Sequence, residues 1–157
     1  MIEYSLLINA SPEQIWDCLT KPDLMKRWMG DPEMNLHIET DWTVNGPIAV
    51  KGFHHVAFEN RGVVEIVDKN RLLRYTSLSS LSGLPNRPEN HTSTTFAVEP
   101  AGKQTRLTVE VQNFPTDAIY RHYNFYWRGA IMTIKKLAER GEDTANATDT
   151  MGTGKAQ

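Results

Sequence analysis

The chain has 157 residues, a formal charge of −2, 39% hydrophobic and 23% charged side chains, ordinary globular values and enough length for one proper core. Near-balanced charge and a pI near 6.2 remove the electrostatic case for nucleic acid or an anionic membrane. No window has the length of a membrane span, no secretory leader opens the chain, and the lone Cys18 rules out an internal disulfide, so a cytoplasmic location is expected.

Ile2 to Ile8 reads as a strand. Ser11 suits a helix N-cap, Pro12 the first helical position, and Glu13-Gln14 its first turn, with Ile15, Trp16 and Leu19 forming one apolar face. A second short helix is predicted over Pro22 to Trp28, stopped by Gly30-Asp31-Pro32. From Leu36 the period becomes two: Leu36, Ile38, Thr40 and Trp42 share one face, with His37, Glu39 and Asp41 on a solvated other face. Asn45-Gly46-Pro47 predicts a turn. A strand follows over Ile48 to His55, in which Gly52 marks a bulge or a close backbone approach. Glu59-Asn60-Arg61-Gly62 is read as a turn into Val63 to Val67, and Asp68-Lys69-Asn70 as a turn into Leu72 to Leu78.

Ser79 to Asn90, with Gly83, Pro85 and Pro88, is the longest irregular stretch, and long loops in compact domains tend to be functional. A hairpin is predicted from Thr92 to Glu99 and from Thr105 to Gln112, where Leu107, Val109 and Val111 alternate with polar neighbours. The closing helix runs from Asp117 to Arg140, with Ile119, Tyr123, Trp127, Ala130, Ile134 and Leu137 forming a stripe toward the sheet. Residues 141–157 carry no aromatic or branched aliphatic side chain and read as a loose tail after a single domain over 1–140. The sequons at Asn90 and Asn146 are read as chance. Strand, two short helices, six strands and a long helix make an α+β pattern.

Four passages stand out in order: Asn9-Ala10-Ser11-Pro12-Glu13-Gln14-Ile15-Trp16 with Leu19-Thr20 and Pro22, Phe58-Glu59-Asn60-Arg61-Gly62 leading into Val63-Val64-Glu65-Ile66, Leu81-Ser82-Gly83-Leu84-Pro85 with Pro88-Glu89-Asn90, and Trp127-Arg128-Gly129 before Leu137-Ala138-Glu139. Together they resemble the activator-of-Hsp90-ATPase-like group of the START/Bet v 1-like superfamily. Asn45-Gly46-Pro47 departs from the Gly-Gly pair of many relatives. The resemblance implies a helix-grip fold, with a curved antiparallel sheet wrapped around the long helix and a cavity between them. It implies no single reaction, because members of the superfamily bind hydrophobic ligands, cyclise polyketides or dock on protein partners.

The expected cavity wall is Trp28, Trp42, Phe53, Tyr75, Phe96, Tyr123 and Trp127, with His54 or His55 facing inward beside them. Such a wall suits a small hydrophobic molecule; the same rings would otherwise simply fill a core. As strand neighbours, His54 and His55 are expected on opposite faces, unable to share a metal. No other His, Cys or carboxylate spacing fits a metal, and no nucleophile elbow or phosphate loop is present. No metal or cofactor is therefore expected. Arg74 and Arg128 are the candidate carboxylate binders if they point inward. Ligand binding without a defined reaction is the first reading. One alternative is a polyketide cyclase-like enzyme using Tyr75, His54, His55 or Arg74. The other is an Hsp90-cochaperone-like docking module or homodimer, with Trp28-Met29 and Met34 as an outer apolar patch; co-chaperones with this domain carry an extra N-terminal one that these residues lack.

Overall fold

Strand β1, Ile2–Ile8, leads into α1, Pro12–Thr20, through a capping box. The Gln14 N–H donates to Ser11 Oγ at 3.1 Å and the Ser11 N–H donates to Gln14 Oε1 at 2.8 Å, which satisfies two of the free donors at the helix start. Helix α2, Pro22–Met29, follows directly, and Gly30 ends it. The computed structural model describes residues 1–140, and the loose tail expected over 141–157 lies outside the described residues.

The sheet is built from β1, β2 (His37–Glu39), β3 (Pro47–His54), β4 (Val56–Asp68), β5 (Leu72–Ser79), β6 (Thr92–Ala101) and β7 (Gln104–Gln112), and α3 (Asp117–Glu139) closes the chain. All pairings are antiparallel, in the order β1-β7-β6-β5-β4-β3-β2. This is the α+β helix-grip architecture. Leu107, Val109 and Val111 are fully buried, as the alternation in β7 requires. The β1 edge is covered by α3: Lys135 Nζ donates to the Leu7 carbonyl at 3.3 Å, and the Asn9 N–H donates to Glu139 at 2.8 Å. That contact and the neighbouring Lys135 ammonium hold the Glu139 carboxyl below its usual range.

Two sequence expectations for this region do not hold. The strand expected to reach Trp42 stops at Glu39, and Trp42 takes a left-handed φ of 60°. The turn expected at Glu59-Asn60-Arg61-Gly62 does not exist, because β4 runs unbroken through it. The hairpin closes instead at His55, φ 67°, with His54 paired to Val56. Gly62 is needed for proximity, not for turning: a Cβ there would lie 1.6 Å from the Thr76 carbonyl oxygen. Gly52 does mark a close approach, with a Cβ position 2.7 Å from Leu36 Cδ2.

Helix α3 has its fully buried residues in its second half alone, while the first half stands further off, reaching β1 where Tyr4 donates to Asn124 Oδ1 at 3.1 Å and the core through Tyr123 and Tyr126. Its buried residues are Trp127, Ala130, Ile131, Ile134, Leu137 and Ala138, all beyond Tyr126. The expected stripe is therefore half core, half something else, since Ile119 and Tyr123 are only partly covered. The opposing strands change with it. Along β5 and β6 the inward cross-strand pairs run Leu73–Phe96, Tyr75–Thr94 and Ser77–Thr92, so the concave face passes from hydrocarbon to hydroxyl below the lifted half of the helix.

Candidate ligand cavity

Between the lifted half of α3 and strands β3 to β6 lies a partly open cavity of about 670 Å³. Its apolar side is built by the end of α2 and the first strands, through Trp28, Met29, Met34, Leu36, Val50 and Phe58. The helix contributes Ile119, Tyr123, Tyr126 and Trp127, and the loop after β5 brings Leu81, Ser82 and Asn90 to the rim. That loop is pinned by His91, whose Nδ1 meets Thr76 Oγ1 at 3.0 Å and whose Nε2 meets Asn86 Oδ1 at 2.7 Å. Desolvation lowers the His91 pKa.

Of the residues expected at the wall, Trp28, His54, Tyr75, Tyr123 and Trp127 are brought together around the cavity. Phe96 is buried one layer below, its ring centroid 5.6 Å from that of Trp127, 5.9 Å from Tyr75 and 6.3 Å from Trp28. Phe53 is turned out, 54% exposed, because alternation along β3 gives Val50 and His54 to the cavity and Phe53 to the other face.

Trp42 is a cap. The last carbonyls of a helix have no partner within it, and in α1 the next residue able to donate is lost because Pro22 has no N–H. Trp28 Nε1 donates to the Cys18 carbonyl and Trp42 Nε1 to the Thr20 carbonyl, each at 2.8 Å. The indole of Trp127, by contrast, finds no acceptor among the described residues.

The outer patch expected from Trp28-Met29 and Met34 is also turned inward, since all three line the cavity. His54 and His55 do not point to opposite faces; the left-handed turn at His55 breaks the alternation and leaves their rings 4.6 Å apart. Among the described residues no three His, Cys, Asp or Glu side chains converge as a metal cage would require. Arg74 faces away from the cavity, donating to Thr95 Oγ1 at 2.8 Å, and Arg128 is exposed on α3. Cys18 is buried, its thiol pushed up to about 11 by desolvation and then by Asp17.

Sequence reasoning missed Tyr126, Thr92, Thr94 and Ser77. Period-two counting outward from Tyr75 and Phe96 finds the last three, and the three-residue helical step from Tyr123 finds Tyr126. The Tyr126 hydroxyl donates to the Met29 carbonyl at 3.1 Å, and that of Thr92 to the Asn113 carbonyl at 3.0 Å. Burial pushes the phenols of Tyr75, Tyr123 and Tyr126 upward, with Ser77 acting in the opposite sense on Tyr123. Tyr75 is therefore a protonated donor at neutral pH.

The family model described as activator of Hsp90 ATPase homolog 1-like protein matches residues 9–139. The chain belongs to this family. Solved structures share its fold. Protein ChR145 of Cytophaga hutchinsonii is 25% identical, with 90% of this chain and 94% of that one covered and a TM-score of 0.72. An Aha1 dimer from Colwellia psychrerythraea is 24% identical, covering 89% and 96%, at a TM-score of 0.69. CV1439 from Chromobacterium violaceum is 17% identical, covering 88% and 96%, at 0.73. No curated protein matches the chain. Membership in the activator of Hsp90 ATPase homolog 1-like family accounts for the helix-grip sheet and the closing helix. No helix among the described residues is long and apolar enough to cross a membrane.

Proposed function

We propose that the protein binds a small, largely apolar molecule between strands β3 to β6 and the first half of α3. The observation that carries this reading is the hollow itself: about 670 Å³, within the range of small-molecule sites, which are mostly apolar with a few directed polar groups. Apolar surface removed from water at about 25 cal/mol per Å² supplies the affinity. Nothing in the site requires turnover, and the phenols serve as fixed donors.

The test uses Nile red, an uncharged dye whose emission shifts to the blue in apolar surroundings. Titration of the protein should give saturable binding at one site. Val50→Trp, which projects an indole into the hollow from a half-buried position, should weaken it by about tenfold or more. Unchanged affinity in that variant, in a protein with wild-type circular dichroism, would place the dye elsewhere and remove the support for this cavity.

A second reading is docking, on a chaperone or a second copy, and one observation favours the copy. Phe125 is 77% exposed on the outer face of α3, with Met132, 43% exposed, on the same face, and a neighbour of like fold is described as a dimer. Sedimentation velocity should then show a dimer for the wild type and a monomer for Phe125→Ser. A monomer in both would end this reading.

A further inference from the structure

We propose that the cavity takes an uncharged ligand, mostly apolar, whose single hydroxyl or carbonyl meets the hydroxyl cluster of Tyr75, Thr94, Ser77 and Tyr123, and that it turns away carboxylates and phosphates of the same skeleton. This rests on reading the hollow as a ligand site and adds the class of molecule.

The first support is the composition of the wall. Among the described residues no Asp, Glu, Lys or Arg lines the cavity. The two arginines that could have received an anion are placed elsewhere, Arg74 on Thr95 of the outer face and Arg128 in solvent. A carboxylate inside would lose its hydration and gain no countercharge, the arrangement in which burial of charge is most costly. His54 and His122 belong to the lining but are exposed, so an anion meeting them would stay in water at the rim, where attraction is weak and screened by salt.

The second support is the placement of the hydroxyls. Tyr75 pairs with Thr94, and Ser77 with Thr92, on the concave face of β5 and β6, while Tyr123 descends from α3 beside Ser77. Tyr126 and Thr92 spend their hydroxyls on main-chain carbonyls. Tyr75 and Thr94, each over nine-tenths buried, line the cavity, and no hydrogen bond within the described residues uses their hydroxyls. A neutral oxygen atom of a ligand would complete both, as donor and acceptor. The phenols themselves report the same hostility to charge, since burial is the first cause of every upward shift among them.

The experiment compares pyrenebutanol, methyl pyrenebutyrate and pyrenebutyrate by quenching of tryptophan fluorescence at neutral pH, at low and high salt. The alcohol and the ester should bind roughly tenfold or more tightly than the carboxylate, at both salt concentrations. Equal or tighter binding of the carboxylate overturns the proposal while leaving a working ligand site. Failure of all three probes to bind overturns the ligand site and the proposal with it. Tyr75→Phe should weaken the alcohol by about threefold to tenfold, the worth of one hydrogen bond, and leave butylpyrene unchanged. Equal losses for both would make Tyr75 a wall only and overturn the assignment of the hydroxyl cluster.

Discussion

Gly62→Ala is expected to destabilise the protein by about 3 kcal/mol or more, beyond the common range for overpacking, because the obstacle is main chain that cannot rotate away. A methyl group at this position would sit 1.6 Å from the Thr76 oxygen, 2.4 Å from its carbonyl carbon and 3.1 Å from the Ser77 nitrogen. Strands β4 and β5 would have to part. The Val63 N–H bond to Thr76 Oγ1, 3.0 Å, and the Thr76 contact to His91 would go with them, and so would the neighbouring Ser77 on the cavity floor. Urea unfolding measures the loss. Gly129→Ala is the matched control: among the described residues no atom outside its chain neighbours and the local helix backbone lies within 4 Å of its Cβ position in α3, so alanine should raise stability by about 0.5–1 kcal/mol. Two substitutions of the same type then act with opposite sign. A Gly62→Ala midpoint equal to wild type would contradict the close strand approach.

Phe96→Ala should cost about 3–5 kcal/mol, the range for deleting a fully enclosed ring. Phe96 has no exposed surface and lies below Trp28, Tyr75 and Trp127, which form the cavity floor. Its removal leaves a void directly beneath that floor. The same variant should therefore soften the site as well as the fold, with looser and less blue-shifted Nile red binding at temperatures where it remains folded. Phe125→Ala, an equal truncation at a position 77% exposed, should stay within about 0.5 kcal/mol of wild type. Thermal unfolding of the two variants separates them, and comparable losses would show that the outer face of α3 is covered in solution.

Local signals carried the architecture. Ser11 and Gln14 form their capping box, and Leu107, Val109 and Val111 all face inward. Element order, antiparallel pairing and the closing helix follow from period and punctuation, which depend on near neighbours along the chain. The exceptions are instructive. Asn60-Arg61-Gly62 resembles a turn, yet Gly62 is selected by contact with Thr76, a residue of the next strand. His55 does turn the chain, φ 67°, with none of the usual glycine or asparagine at the bend.

The site divides the same way. Type and period were enough to name Trp28, Tyr75, Tyr123 and Trp127 as inward aromatics. They could not distinguish a lining ring from one buried beneath it, one turned outward or one capping a helix, as Phe96, Phe53 and Trp42 show. That distinction depends on where α3 rises from the sheet, at Trp127, and on which strand positions lie opposite. Amino-acid order thus dictated the strands, the helices and their hydrophobic faces, because those arise from local geometry. The hollow, its wall free of carboxylate, lysine and arginine among the described residues, and its cross-strand hydroxyls arise from packing between residues far apart in the chain, where one ring's burial depends on its neighbour's placement.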